Sequence, residues 1–132
     1  MRSSVLDSYA LLAYLFRETG HEKVVTLLEK AAETGRNALV VAPNWAEVRY
    51  QVQRKTTTAK WEEIREKLLA LPIEVVSATQ ELAEVAGAIK ADKKMSLADC
   101  FAAALAKAHK ADLYTGDPEF KAVESEIKIV WL

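Results

Sequence analysis

The sequence predicts an α/β fold, a three-layer α/β/α sandwich around a central, mostly parallel sheet of about five strands. Three observations carry this. Short apolar runs alternate with longer helical patterns along the chain, the rhythm of parallel strands joined by crossover helices. Residues 38–42, Ala-Leu-Val-Val-Ala, are apolar without a break, as in a strand buried on both faces. The chain has 132 residues and a mass of 14.6 kDa, which suits one domain over residues 1–132. It carries no repeat, low-complexity stretch or linker.

The elements follow in order. Residues 3–6 are a short β-prone opening that stops at Asp7. Residues 8–17 read as a helix that is apolar nearly all round, so its surplus face, with Tyr9, Tyr14 and Phe16, suits a partner surface. Gly20 breaks it. Residues 22–34 place Val24, Leu27, Leu28 and Ala31 at helical spacing, and Gly35 closes that helix. Residues 38–42 are the second strand, and Pro43 and Asn44 start a helix to about Lys55. Residues 58–71 form a helix with Trp61, Ile64 and Leu68 on one face. Pro72 ends it before a strand at residues 73–76. Two helices follow, over 79–91 and 96–109, the second rich in alanine. Residues 113–114 form a short strand, Thr115–Pro118 a turn, and 127–132 a last strand. Trp61 and Trp131 are expected in the core.

Hydrophobic residues make up 51% and charged residues 28%, the balance of a water-soluble globular domain. No apolar run approaches the ~20 residues of a membrane span. An acid at position 7 argues against a secretory signal. The single cysteine, Cys100, excludes an internal disulfide framework and suits a reducing, cytoplasmic compartment. With only His21 and His109 beside it, no zinc site of the usual spacing can form. Net charge is −1, from 18 basic and 19 acidic residues. Binding of nucleic acid would therefore need a local basic patch or a bound cation.

The acids are more informative. Of five aspartates, Asp7 and Asp117 follow predicted strands, and Asp99 lies in the first turn of the alanine-rich helix. Glu47 is read into the first turn after the second strand. Each alone is explained by capping chemistry: Asp7 and Asp117 as turn or N-cap residues, Asn44-x-x-Glu47 and Ser96-x-x-Asp99 as capping boxes. Together they differ from that reading. In a parallel sheet the strand-to-helix junctions share one edge, where ligand sites collect. Four carboxylates brought there repel one another, and a divalent cation relieves the repulsion. Oxygen-only ligands select Mg²⁺ or Mn²⁺. Asp112, before its strand, falls at the opposite edge. Asp92 is a loop charge. Glu119 reads as a surface turn residue, with water-bridged support of the site as the alternative.

Basic residues near the acids are Arg49, Arg54 and Lys55, and Lys90, Lys93 and Lys94. Each alone suits a solvated surface, and together they are the candidates for phosphate contact. Tyr9 and Trp45 read as core residues first and as base-stacking residues second. A phosphatase-type reading wants Asp-x-Asp at the first strand, and position 9 is Tyr9. Only four glycines are present, with no phosphate-binding loop among them.

Four blocks carry a family resemblance: Val-Leu-Asp-Ser-Tyr-Ala-Leu-Leu-Ala at 5–13, Asn-Trp-Ala-Glu-Val at 44–48, Ser-Leu-Ala-Asp-Cys-Phe-Ala-Ala-Ala-Leu-Ala at 96–106 and Thr-Gly-Asp-Pro-Glu-Phe at 115–120. In this order and spacing they resemble the PIN domain, and within it the VapC-type ribonuclease toxins. The resemblance implies a Mg²⁺- or Mn²⁺-dependent endoribonuclease acting on RNA. It implies that Asp7, Glu47, Asp99 and Asp117 are the metal-binding and catalytic residues, flanked by the hydroxyls of Ser8 and Thr115. It also implies a homodimer and a VapB-like protein antitoxin in the active-site groove. Cys100 departs from the alanine usual beside the third acid. The alternatives are a housekeeping PIN-type nuclease of RNA processing and a non-catalytic PIN-like binding domain.

Overall fold

A sheet of five parallel strands in the order β3-β2-β1-β4-β5 forms the middle layer. The computed structural model describes residues 2–132. β1 is Ser4–Leu6, β2 Ala38–Val41, β3 Ile73–Val76, β4 Asp112–Thr115 and β5 Ile129–Trp131. The helices are α1 Ser8–Phe16, α2 His21–Thr34, α3 Ala42–Lys55, α4 Thr58–Leu69, α5 Gln80–Asp92 and α6 Leu97–His109. A 3₁₀ helix, Pro118–Val123, joins β4 to β5. The strand order reverses at β1, which pairs with β2 on one side and β4 on the other.

Two apolar clusters sandwich the sheet, each supplied by helices of one layer. Leu11, Leu28, Val48, Val52, Trp61 and Leu68 fill one with α1 to α4. Leu82, Ala86, Leu105, Phe120 and the alanines of α6 fill the other. β2 is buried along its whole length, as its unbroken apolar run requires. The alanines let α6 lie close to the sheet: Ala102, Ala103 and Ala104 have no exposed surface.

Local chemistry sets the element ends. Thr57, Thr79 and Ser96 cap α4, α5 and α6 by accepting from amides three residues on. Gly20 takes φ +91°, and its missing side chain is filled by Leu132, whose Cβ would lie 2.4 Å from a Cβ at position 20. No helix among the described residues is long and apolar enough to cross a membrane.

The structure corrects several sequence expectations. α3 starts at Ala42 after the extended Val41, with Pro43 in its first turn, so Asn44 is not its cap and Glu47 sits in the second turn. Ile127 is buried but belongs to the connection before β5. The segment after Asp117 is a 3₁₀ helix rather than a plain turn. Trp61 is buried, whereas Trp131 is half-buried and donates its indole N–H to Glu124 at 2.7 Å. Tyr14 and Phe16 pack within the domain, Tyr14 stacked on His21 and Phe16 beneath Lys55. They form no free aromatic face. Asp112 opens β4 at the far edge of the sheet, as expected, paired with Arg2 and Lys128.

Candidate active site

Asp7, Glu47, Asp99 and Asp117 line one cleft of about 370 Å³ at the carboxyl ends of β1, β2 and β4. This is where the strand order reverses, the position where crossover helices leave a crevice. Asp7 follows β1 directly. It caps α1 by accepting from the Ala10 amide at 2.9 Å with Oδ1. Its other oxygen, Oδ2, accepts from the Thr115 hydroxyl. Thr115, at the end of β4 and fully buried, in turn accepts from the Asp117 amide at 3.0 Å. One hydroxyl, 108 residues from Asp7 in sequence, thus ties the first acid to the backbone of the fourth.

Glu47 is held differently. Its Oε1 accepts from the Ser8 hydroxyl at 2.9 Å and from the Asn44 side-chain amide at 3.1 Å. Both bonds fall on one oxygen. Asn44 is buried and also donates to the Ala98 carbonyl at 3.4 Å, which joins α3 to α6 beneath the cleft. The Asn44-x-x-Glu47 spacing is therefore a side-chain pair inside a helix, not a capping box.

Ser96 does cap α6, accepting from the Asp99 amide at 3.2 Å. The return bond of a capping box is not made by Asp99. The Ser96 amide donates instead to Glu119 Oε1 at 2.9 Å, from the 3₁₀ helix. Glu119 belongs to the cleft: carboxylate oxygens of Asp99, Asp117 and Glu119 all lie within 4.8 Å of one another. Glu119 is exposed, as the surface-turn reading expects, and it also lines the cleft, as the alternative of support for the site expects. Its spacing of two from Asp117 was the available signal, but only the 3₁₀ turn after Pro118 brings it back.

The electrostatics follow from burial and like charge. Burial raises the Asp7 carboxyl to about 7, helped by the fields of Asp117 and Glu47 and opposed by the bonds from Thr115 and Ala10. Burial also raises Asp99, to about 8, reinforced by Asp117, Asp7 and the contact with Glu119. Cys100 beside it is buried, and burial pushes its thiol up.

The rim completes the cleft with Ser8, Tyr9, Gln51, Lys55 and Glu18. Tyr9, expected in the core, is 37% exposed. Its ring lies over Gly116: a Cβ there would meet the ring at 2.3 Å. Of the six basic candidates only Lys55 lines the cleft. Lys90 donates to the Met95 carbonyl at 2.6 Å, and Lys93 pairs with Glu126. Lys94 is exposed, and Arg49 and Arg54 lie on the outer side of α3. Trp45 is half-buried and packs edge-on against Trp61.

The donor set is oxygen only and carries more negative charge than the cleft can hold ionised. That chemistry fits a hard divalent cation, with Asp99, Asp117 and Glu119 closest together and Asp7 and Glu47 on the walls.

The chain matches the PIN domain over residues 4–126. No curated protein matches its sequence. Among solved structures it is similar to VapBC2 of Rickettsia felis bound to a promoter DNA fragment, with a TM-score of 0.76 and 16% identity over 96% of each chain. A toxin–antitoxin complex of Klebsiella pneumoniae gives 0.71 and 21% identity, covering 97% of this chain and 96% of that one. VapC20 of Mycobacterium tuberculosis, a toxin that cleaves the sarcin–ricin loop, gives 0.73 and 17% identity, covering 92% and 95%.

Proposed function

The chain belongs to the PIN domain family, and from this we propose that it is a metal-dependent endoribonuclease of the VapC type, the toxin of a toxin–antitoxin pair. The observation that carries the reading is the convergence of Asp7, Glu47, Asp99 and Asp117, from four separate segments, in one cleft. The similar folds of the Rickettsia and Klebsiella complexes support an antitoxin partner. The similarity to VapC20 supports RNA as substrate.

In this reading Asp99, Asp117, Glu119 and Asp7 hold one or two Mg²⁺ or Mn²⁺ ions. A cation bound there neutralises the clustered carboxylates, acidifies water and offsets charge developing on the phosphoryl oxygens. The chain's own residues do the rest. Glu47, with Oε1 fixed by Ser8 and Asn44, turns Oε2 to the attacking water as proton acceptor. Lys55 meets the phosphate at the rim. Thr115 holds Asp7 in place.

An antitoxin inhibits by placing a basic side chain among the acids, where it supplies the charge of the cation. The active form is a homodimer with two clefts opening on a shared groove. Light scattering reads that assembly directly, and a monomer mass at micromolar concentration refutes it.

The function is tested with purified protein and total host RNA. Cleavage is expected with Mn²⁺ or Mg²⁺, and none in chelator or with Asp99→Asn. Expression is expected to arrest host growth, with relief by a small protein encoded beside it. Metal-independent cleavage, or cleavage retained by Asp99→Asn, overturns the reading of the site. Cleavage without growth arrest leaves a nuclease that is no toxin.

A further inference from the structure

We infer that the Tyr50–Arg54 pair on α3, with Arg49 beside it, is a binding track for single-stranded RNA leading into the acid cleft. This rests on the ribonuclease reading above and assigns residues for substrate outside the cleft.

The chain has no net basic charge, so an RNA-binding surface must be local. Many lysines are locally neutralised. Lys60 and Lys67 pair with Glu63, Lys93 and Lys107 with Glu126, and Arg2 and Lys128 with Asp112. The two arginines of α3 differ. Among the described residues neither forms an ion pair with a carboxylate. Arg49 donates to the neutral Gln53 at 3.3 Å, and its guanidinium lies 5.9 Å from the Trp61 ring. Arg54 lies over the Tyr50 ring at 4.8 Å. Glu47 is the only acid in α3, and it faces the cleft. The outer side of the helix is therefore an uncompensated cationic surface.

Its position relative to the cleft follows from helix geometry. Glu47, Gln51 and Lys55 line the cleft at intervals of four. Tyr50 and Arg54 are each three residues beyond Glu47 and Gln51, which puts them in the adjacent column, with Cβ atoms ~5–6 Å away. From Glu47 to Arg54 the axial rise is about 10 Å, roughly three stacked nucleotides. A strand whose scissile phosphate lies at the acids thus meets this column within a few nucleotides.

The chemistry of the pair suits a base and its phosphate. Tyr50 is 42% exposed, so its ring offers apolar surface to a nucleobase. Arg54 sits over the ring by cation–π attraction, which steadies its guanidinium and leaves N–H groups for phosphate oxygens. Stacking and phosphate contact read no sequence. The track sets affinity and the direction of the strand, not the cleavage site.

The test uses fluorescein-labelled oligouridine of about twelve nucleotides, within the usual site size, with Ca²⁺ replacing the catalytic ion. Anisotropy is followed across a salt series. The R49A/R54A variant is expected to weaken binding on the order of tenfold and to flatten the log K against log salt slope by about 1.4, two contacts at ~0.7 each. Y50A is expected to weaken binding about fivefold or more with the slope unchanged, and Y50F to restore it. All three variants should hydrolyse bis(p-nitrophenyl) phosphate with Mn²⁺ at the wild-type rate, because that small ester needs only the acid cleft. Unchanged RNA affinity and slope, with the small ester still cleaved, overturn the track and leave the nuclease standing. Conversion of a dimer to a monomer by R49A/R54A, with RNA affinity intact, makes this face a contact between copies and also overturns it. If the wild-type protein neither binds the oligonucleotide nor cleaves the ester, the ribonuclease reading itself falls.

Discussion

Glu119 accepts the backbone amide of Ser96 at 2.9 Å, so the capping box of α6 is closed by a residue 23 positions away. Asp99 does not make the return bond to the Ser96 amide, and its carboxyl lines the cleft in contact with Glu119. The same contact brings a further negative charge within reach of Asp99 and Asp117.

Glu119→Gln keeps an acceptor for Ser96 and removes that charge. In chelator at neutral pH it should raise Tm, because repulsion falls. With Mn²⁺ present the gain should vanish or reverse. Glu119→Ala also loses the cap bond, typically ~1 kcal/mol, and should melt below Glu119→Gln in every buffer. Calorimetry of the two variants, with and without metal, checks this.

The metal-free protein should be more stable at pH 5 than at pH 8. Asp7 is raised to about 7 and Asp99 to about 8. Between the ordinary carboxylate range and those values the folded state keeps protons that the unfolded state has released. Stability therefore falls as pH rises through that window. Thermal melts in chelator should drop steadily from pH 5 to pH 8. Asp99→Asn should flatten the decline. A wild-type Tm that rises with pH over this range contradicts the burial of these acids.

Thr115→Val is nearly isosteric and removes both bonds of the buried hydroxyl. Asp7 loses a donor and the Asp117 amide loses its acceptor. The expected loss is about 1–3 kcal/mol, with the Asp7 carboxyl moved further up because the Thr115 bond now lowers it. Thr115→Ser, which keeps the hydroxyl, should recover most of the metal affinity. Urea unfolding and metal titration read the two effects separately.

Gly116→Ala places a methyl into the Tyr9 ring. Tyr9 is on the rim and partly exposed, so the ring should swing away rather than unfold the domain. Stability should fall by less than about 1 kcal/mol, the scale of a surface change, while RNA cleavage drops. The double variant Tyr9→Ala/Gly116→Ala separates displacement of Tyr9 from loss of Tyr9. If both variants lose the same activity, the ring itself does the work.

The layers were legible in the sequence because strand burial and helix periodicity are local properties. The strand at residues 73–76 coincides with Ile73–Val76, and the helices deviate mainly at their ends. Convergence of the acids was legible once a parallel sheet was accepted, since topology alone places Asp7, Glu47 and Asp117 at one edge. Roles that depend on contacts across the chain were not legible. Asn44 looked like a cap because the sequence does not reveal that Val41 is extended and Ala42 already helical. Tyr9 looked like core because its neighbours are apolar, but the ring needs the open space over Gly116. Glu119 is exposed, as a surface turn residue should be, but its bond to the Ser96 amide was not legible because that partner is supplied by another segment.

β1 and β4 pair from Ser4 with Asp112 to Leu6 with Tyr114, so the centre of the sheet is closed by strands far apart in the chain. Pairing over such a separation costs the closure entropy of the whole intervening chain before its contacts form. Three strands and six helices precede β4 in the chain, and up to that point the cleft has Asp7, Glu47 and Asp99 but neither Asp117 nor Glu119. The five-carboxylate cluster, with the repulsion that it brings, is therefore complete only once β4 has paired with β1 and the 3₁₀ helix after it has formed.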